Sequence, residues 1–293
     1  MNNLSADLFG NCQEHGGQQI HLANPIDFAG FRHAAWHLIA RGTPPEQVAW
    51  VTTSGGAKPP AFAPDTAPAI SVGADFTSLC KTAILHSDPA RFELLYRLLW
   101  RMAREPGLQY DPLDADMLKA EHLAKAVRRD MHKMKAFVRF RTVLDETFKA
   151  QPTGGLLHVA WFEPEHHIVE AIAPFFARRF TQMRWAILTP ERCMAWNGAV
   201  VCFSPGAQKS DAPPPDAGEA LWLTYYQNTF NPARLKLKTM QKEMPRRYWH
   251  NLPEAQLITG LSACANQRQT QMIGQAPSTP QRRIPAFKPQ QVA

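Results

Sequence analysis

The sequence predicts an α+β protein: an antiparallel sheet with covering helices, an N-terminal β–α–β unit and a helical C-terminal region. Three observations predict it. Two short β-prone runs, residues 19–23 and 48–52, bracket a stretch with helical apolar spacing. Further β-prone runs near 137–141, 156–162, 184–189, 193–196 and 199–203 follow, the last two flanking Asn197-Gly198, a strong hairpin signal. From Glu219 onward the apolar residues recur at helical intervals. With 293 residues and 45% hydrophobic content, the chain can bury a sizeable core as one or two domains.

Taken in order, residues 1–18 are polar and are expected to be disordered. Gln19 to Ala23 reads as a strand. Asn24-Pro25 then opens a helix, with Asn24 as N-cap and Pro25 at the first helical position. Phe28, Phe31, Ala35, Trp36 and Ile39 form its apolar side, and Gly42 stops it. Val48 to Thr52 closes the β–α–β unit. No Gly-x-Gly-x-x-Gly occurs there, which argues against a dinucleotide fold. Residues 53–69 hold four prolines and the Gly55-Gly56 pair and read as a linker, a candidate sub-boundary. A strand is expected within Ser71 to Cys80, then helices over 76–86 and 88–105. Asp88-Pro89 suits the start of the second, and Phe92, Leu95, Tyr96, Leu98, Leu99 and Met102 make its wide apolar face.

The stretch 119–141 carries the chemistry that stands out. It holds eight basic residues against Glu121 and Asp130, a surplus of six in a chain whose total is +7. Leu123, Val127, Met131 and Met134 form one helical stripe, and Lys125, Arg128, Arg129 and Lys133 fall largely off it. From Phe137 the pattern turns β-like, so a basic helix runs into a basic strand that includes Lys135, Arg139 and Arg141. A surface for a polyanion, most plausibly nucleic acid, is the functional reading. A solvated helix face is the plain alternative.

A strand at 156–162 is followed by Glu163-Pro164-Glu165, which read as the first turn of a helix reaching Phe180. Glu163, Glu165, His166 and His167 together could act as acid and base or hold a metal. Their spacing matches no established ligand motif, and capping chemistry accounts for the acids. His15, His21, His33, His37, His86, His122 and His158 are scattered and read as structural or exposed. Ser204 to Gly218, with three consecutive prolines, is an exposed loop. Helices follow at 219–228, from Asn231-Pro232 to Pro245, and from Pro253 to about Met272. Arg234 and Lys238 lie on the second, and Arg246, Arg247, Tyr248 and Trp249 follow it. Cations beside stacking faces are the chemistry that unpaired bases use. Buried aromatics with arginines reaching outward are the alternative. Residues 275–293 hold four prolines, three basic residues and no acid and are expected to be a disordered basic tail.

Five cysteines with no Cys-x-x-Cys argue against a disulfide framework, a zinc ribbon or an iron–sulfur cluster. A cytoplasmic protein is expected, with no membrane segment, cofactor or metal.

Several motifs together, Tyr-Arg-Leu-Leu-Trp-Arg (96–101), the run 127–141, Trp-Phe-Glu-Pro-Glu-His-His-Ile (161–168), Trp-Ala-Ile-Leu-Thr-Pro (185–190), Leu-Trp-x-x-Tyr-Tyr (221–226), Phe-Asn-Pro-Ala-Arg-Leu-Lys (230–236) and Tyr-Trp-His-Asn-Leu-Pro-Glu-Ala (248–255), carry a resemblance. Across residues 19–273 the chain resembles the bacterial "probable DNA metabolism protein" family, a domain of unknown function. In longer relatives of that family the domain is fused ahead of a UdgX-type uracil-DNA glycosylase. The glycosylase's cysteine cluster and Gly-Glu-x-Pro-Gly loop do not occur in this chain. The resemblance implies DNA as partner, a radical SAM protein as a possible second partner, and a role in DNA repair or metabolism without a defined reaction. A DNA-associated accessory protein is therefore expected. The alternatives are a nucleic-acid-processing enzyme with its site at 163–167, or a scaffold for the radical SAM partner.

Overall fold

The structure, a computed structural model, describes residues 18–52, 72–105, 107–144, 155–214, 217–231 and 235–274. The expected linker at 53–69, the N-terminus up to Gly17 and the tail from Gln275 lie outside them. The chain divides into two compact units between Pro213 and Pro214, within the triple proline.

The first unit begins with the expected β–α–β. Strand β1 (Gln18–Leu22) pairs in parallel with β2 (Val48–Thr52), and α1 (Phe28–Ala40) makes the crossover. The N-cap is Asp27, not Asn24. The Asp27 carboxylate accepts from the Gly30 amide at 2.8 Å, while Asn24 closes a local turn by accepting from Ile26 N–H. Gly42, at φ 71°, ends the helix in a conformation that glycine adopts without a Cβ penalty.

Helix α2 (Ala74–Ala83) covers most of the helix expected over 76–86 and replaces the strand expected within 71–80. Phe76, Cys80 and Ala83, at spacings of four and three, are its buried face. Helix α3 (Arg91–Met102) buries Phe92, Leu94, Leu95, Tyr96 and Leu98. It joins Phe31 and Trp50 in an aromatic core, with Trp50 ring centroids 5.0 Å from Phe31 and 5.6 Å from Tyr96. The Tyr96 hydroxyl donates to the Thr43 carbonyl at 2.6 Å, so the buried phenol is satisfied.

Helix α4 (Ala115–Phe137) packs on α2 and α3. Asp114 caps it by accepting from the Asp116 and Met117 amides. The acids at its N-terminus, Asp114 and Asp116, meet two arginines of α3. Arg97 makes a two-nitrogen contact with Asp116, and Arg101 reaches Asp114 at 2.7 Å and Asp116 at 3.2 Å. These arginine hydrogen bonds hold both carboxyls below the ordinary aspartate range.

A five-stranded sheet follows in the order β3 (Arg141–Leu144), β4 (Leu156–Trp161), β5 (Trp185–Leu188), β6 (Arg192–Trp196), β7 (Val201–Pro205). The first strand starts where the sequence reading ended it, because helical structure persists to Phe137. The sheet is mixed: β4 and β5 are parallel and the other pairings antiparallel. Parallel neighbours need a crossover, which α5 (Val169–Arg179) supplies. Its Phe176 ring packs 6.0 Å from Trp185, which is fully buried. The Asn197-Gly198 hairpin forms with a four-residue loop, Trp196 opposite Val201, and Gly198 at φ 103°. Asn197 holds it by accepting from the Ala199 and Val200 amides.

The second unit is helical: α6 (Ala217–Thr229), α7 (Leu237–Glu243), a 3₁₀ segment Arg246–Asn251, α8 (Ala255–Ala263) and α9 (Ala265–Gly274). Tyr248, Leu252, Ile258, Leu261 and Ala265 are buried in it, and the Trp222 indole donates to Glu254 at 3.0 Å. Among the described residues no helix is long and apolar enough to cross a membrane.

Candidate nucleic-acid interface and an adjoining imidazole pair

The inward face of α4 carries Ala120, Leu123, Ala124, Val127, Asp130, Lys133 and Met134, all buried. The 3.6-residue period then turns Lys119, His122, Lys125, Arg128, Arg129, His132 and Lys135 outward, away from that face. Lys119, Lys125, Arg128 and Arg129 form no ion pair among the described residues. That contrasts with Arg97 and Arg101 on α3, whose charges are met by acids within the fold. A bare row of cations on a helix attracts anions from solution.

The other cations expected on this surface are engaged. Lys133 is only 3% exposed, and its ammonium sits 5.7 Å from the Phe137 ring centre. It is removed from the proposed surface because it falls on the apolar stripe's flank and points inward. Lys135 lies over the Phe175 ring at 4.8 Å. Arg139 donates to the Ala136 and Val138 carbonyls, and Arg141 to Pro213 O at 2.6 Å. Their side chains serve the helix-to-strand junction.

In the second unit, Arg234 lies outside the described residues. Lys238, Arg246 and Arg247 are exposed, with Arg246 at the start of the 3₁₀ segment. Tyr248 is only 3% exposed, and its hydroxyl is 2.6 Å from the Arg247 guanidinium. The Trp249 indole donates to Met244 O at 2.9 Å, and Arg246 sits 5.8 Å from its ring centre. Tyr248 is thus core, and the arginines reach outward over the aromatics.

The helix expected to start at Glu163 starts at Val169. Asp130, 1% exposed, holds the segment that precedes it. Its Oδ2 accepts from the Glu165 amide at 2.7 Å and from the His166 amide at 3.0 Å. A carboxylate on α4 therefore satisfies two amides of the bend between β4 and α5. Glu163 accepts from the Trp161 indole at 2.7 Å. The two imidazoles turn elsewhere, His166 to Ser87 and His167 to Glu191, so the four side chains expected to act together face different partners.

A different group does come together. His166 reaches across 79 residues to Ser87: its Nδ1 accepts from the Ser87 amide at 3.3 Å and lies 3.1 Å from Ser87 Oγ. His86 Nδ1 accepts from the Asp88 amide at 2.9 Å. The two rings lie 4.1 Å apart between centres, tilted by 32°. Because an amide can only donate, each neutral ring carries its proton on Nε2. His167 stands beside them, 2.7 Å from Glu191 through Nδ1, and its amide donates to Leu85 O. Sequence reasoning took His86 as isolated. Asp88-Pro89 marked a turn, but nothing in it points to His166. Among the described residues no group of three His, Cys, Asp or Glu could hold a metal ion.

Both imidazoles are harder to protonate than free histidine. Burial is the main cause, and neighbouring imidazoles add to it: His166 and His167 for His86, His167 for His166. For His86 the Asp88 charge acts in the opposite sense. Protonation of either Nδ1 would also break an amide hydrogen bond. The folded values lie below the unfolded value of about 6.5. As pH falls through that value the unfolded chain takes up protons first, so stability falls with pH until the lower folded values are passed. Thermal melts from pH 8 to pH 5 are expected to show this decline. In His86→Gln the slope of melting temperature against pH should be shallower; an unchanged slope would assign the decline to other groups.

No curated protein and no solved structure matches the chain. Residues 89–254 match the family model described as a domain of unknown function, DUF4130. The match takes in all of α3, then α4, the whole five-stranded sheet with its covering helix, and the second unit as far as Glu254, which is more than half of the chain. By that match the protein is a member of the DUF4130 family.

Proposed function

We propose that the protein is a DNA-associated accessory factor in DNA repair or metabolism, which holds nucleic-acid phosphates on the outer face of α4. The observation that carries this reading is the row of outward cations, Lys119, Lys125, Arg128 and Arg129, without ion-pair partners among the described residues. Phosphate contacts of this kind supply affinity with little sequence preference. The DNA-metabolism setting, with a radical SAM protein as proposed partner, rests on the motif resemblance.

Fluorescence anisotropy with labelled single- and double-stranded DNA across a salt series tests it. Arg128→Ala with Arg129→Ala is expected to weaken binding roughly tenfold or more at low salt. The slope of log K against log salt should become shallower by about 2. Equal affinity and slope in the double variant would remove this surface from the reading.

The imidazole pair favours a second reading, an enzyme acting on nucleic acid. Two neutral rings, each with its proton on Nε2, can donate to a developing negative charge. A DNA product formed by the intact chain and lost in His166→Gln would support it. No product from single- or double-stranded DNA, with or without uracil, would count against it.

A further inference from the structure

Helix α1 carries a second imidazole pair that neither reading uses. His33 and His37 are four residues apart, so they share one helix face. Their Nε2 atoms are 3.2 Å apart, with ring planes at 79°. His33 is exposed, and His37 is 2% exposed beneath it. His33 also lines a cleft of about 750 Å³ whose walls include Phe28, Phe31, Trp36, Phe76 and Leu99.

We propose that His33 and His37 bind one divalent transition-metal ion of the imidazole-preferring class, with its remaining coordination positions open to this cleft. Two nitrogens bonded at about 2.0–2.1 Å to a tetrahedral ion lie about 3.3 Å apart. The observed 3.2 Å fits that edge. Zn²⁺, Ni²⁺ and Cu²⁺ are the ions that favour such ligands. Without metal, the two Nε2 atoms of a neutral pair share one proton, which requires one ring protonated on Nε2 and the other on Nδ1. With metal, both Nε2 atoms give lone pairs, so both rings carry their protons on Nδ1. One ring changes tautomer, and neutral rings release no net proton. Among the described residues the fold supplies two protein ligands, and water or a donor atom of a cleft-bound molecule completes the sphere. An ion so held is an open site, able to anchor a molecule whose apolar part lies against the aromatic walls.

Calorimetric titration of the full chain with Zn²⁺ tests the site. One equivalent is expected to bind, and His33→Ala should weaken it at least about tenfold, since half of the protein ligands are gone. His33 is exposed, so that variant keeps the fold, whereas His37→Asn disturbs a buried position and serves only as a second check. Long-range nitrogen NMR gives an independent readout: Zn²⁺ should convert the pair from one Nε2–H and one Nδ1–H ring to two Nδ1–H rings. The proposal is overturned if His33→Ala binds Zn²⁺ with the same stoichiometry and affinity, or if both tautomers are unchanged by the ion. Neither outcome touches the DNA reading, since α4 contributes nothing to the site.

Discussion

Asp130→Ala is expected to destabilise the first unit by roughly 3 kcal/mol, from the loss of a buried charged acceptor that leaves amides unsatisfied. The carboxylate is 1% exposed and accepts from two consecutive amides, Glu165 and His166, through one oxygen. Buried this deeply, the position is closed to bulk water. Asp130→Asn keeps an acceptor oxygen but not the charge, so it should lose about half as much, because charge-assisted hydrogen bonds are about twice as strong as neutral ones. Urea unfolding is the measurement, with the midpoint lowered and the slope unchanged. A midpoint equivalent to less than about 1 kcal/mol of loss in the alanine variant would mean that segment 162–168 is held by other contacts. The effect also reaches the imidazole pair, because His166 sits on the segment that Asp130 anchors.

Arg91→Ala should produce a loss of similar or larger size, about 3–5 kcal/mol. The guanidinium is buried and donates to three backbone carbonyls: Ile84 at 2.7 Å, Asp88 at 2.9 Å and Pro25 at 2.7 Å. Burial pulls its pKa down to about 10, partly offset by Asp88, so it remains a cation at neutral pH. One side chain thus ties the β1–α1 connection to the loop that carries His86 and Ser87. Lysine has no planar fork and cannot reach three carbonyls with the same geometry, so Arg91→Lys is expected to recover only a minor part of the loss. Equal stability of the lysine and arginine chains would show that charge alone matters at this position. Denaturation monitored by tryptophan fluorescence would follow it, since Trp50 lies in the adjoining aromatic core.

Where local chemistry and apolar period agreed, the elements were legible. The β–α–β unit, α3 and the Asn197-Gly198 hairpin each have both a pattern and a start or stop signal within a few residues. The misreadings share a cause. Glu163-Pro164-Glu165 has the composition of a first helical turn, but the helix starts at Val169, and the bend before it is tied to distant parts of the chain through Asp130 and Leu85 O. The strand expected within 71–80 gives way to α2, which packs on α4 and whose buried Phe76, Cys80 and Ala83 make one helical face. The parallel pairing of β4 with β5 depends on which way α5 returns the chain, a choice that no residue of either strand records.

The candidate interface divides in the same way. The run of charge between Lys119 and Arg141 is a property of the sequence, as is the helical period that turns most of it from the apolar stripe. Family membership follows from the sequence too. Which cations remain outward did not follow, because Lys133 is buried and Arg139 and Arg141 spend their hydrogen bonds on backbone carbonyls. The imidazole pair of His86 and His166 belongs wholly to the tertiary structure. Propensity, capping and periodicity act over a few residues, and those were settled locally. Burial of a charge and the meeting of two rings 80 positions apart in the chain depend on long-range packing, which is decided only when the helices and the sheet close on one another.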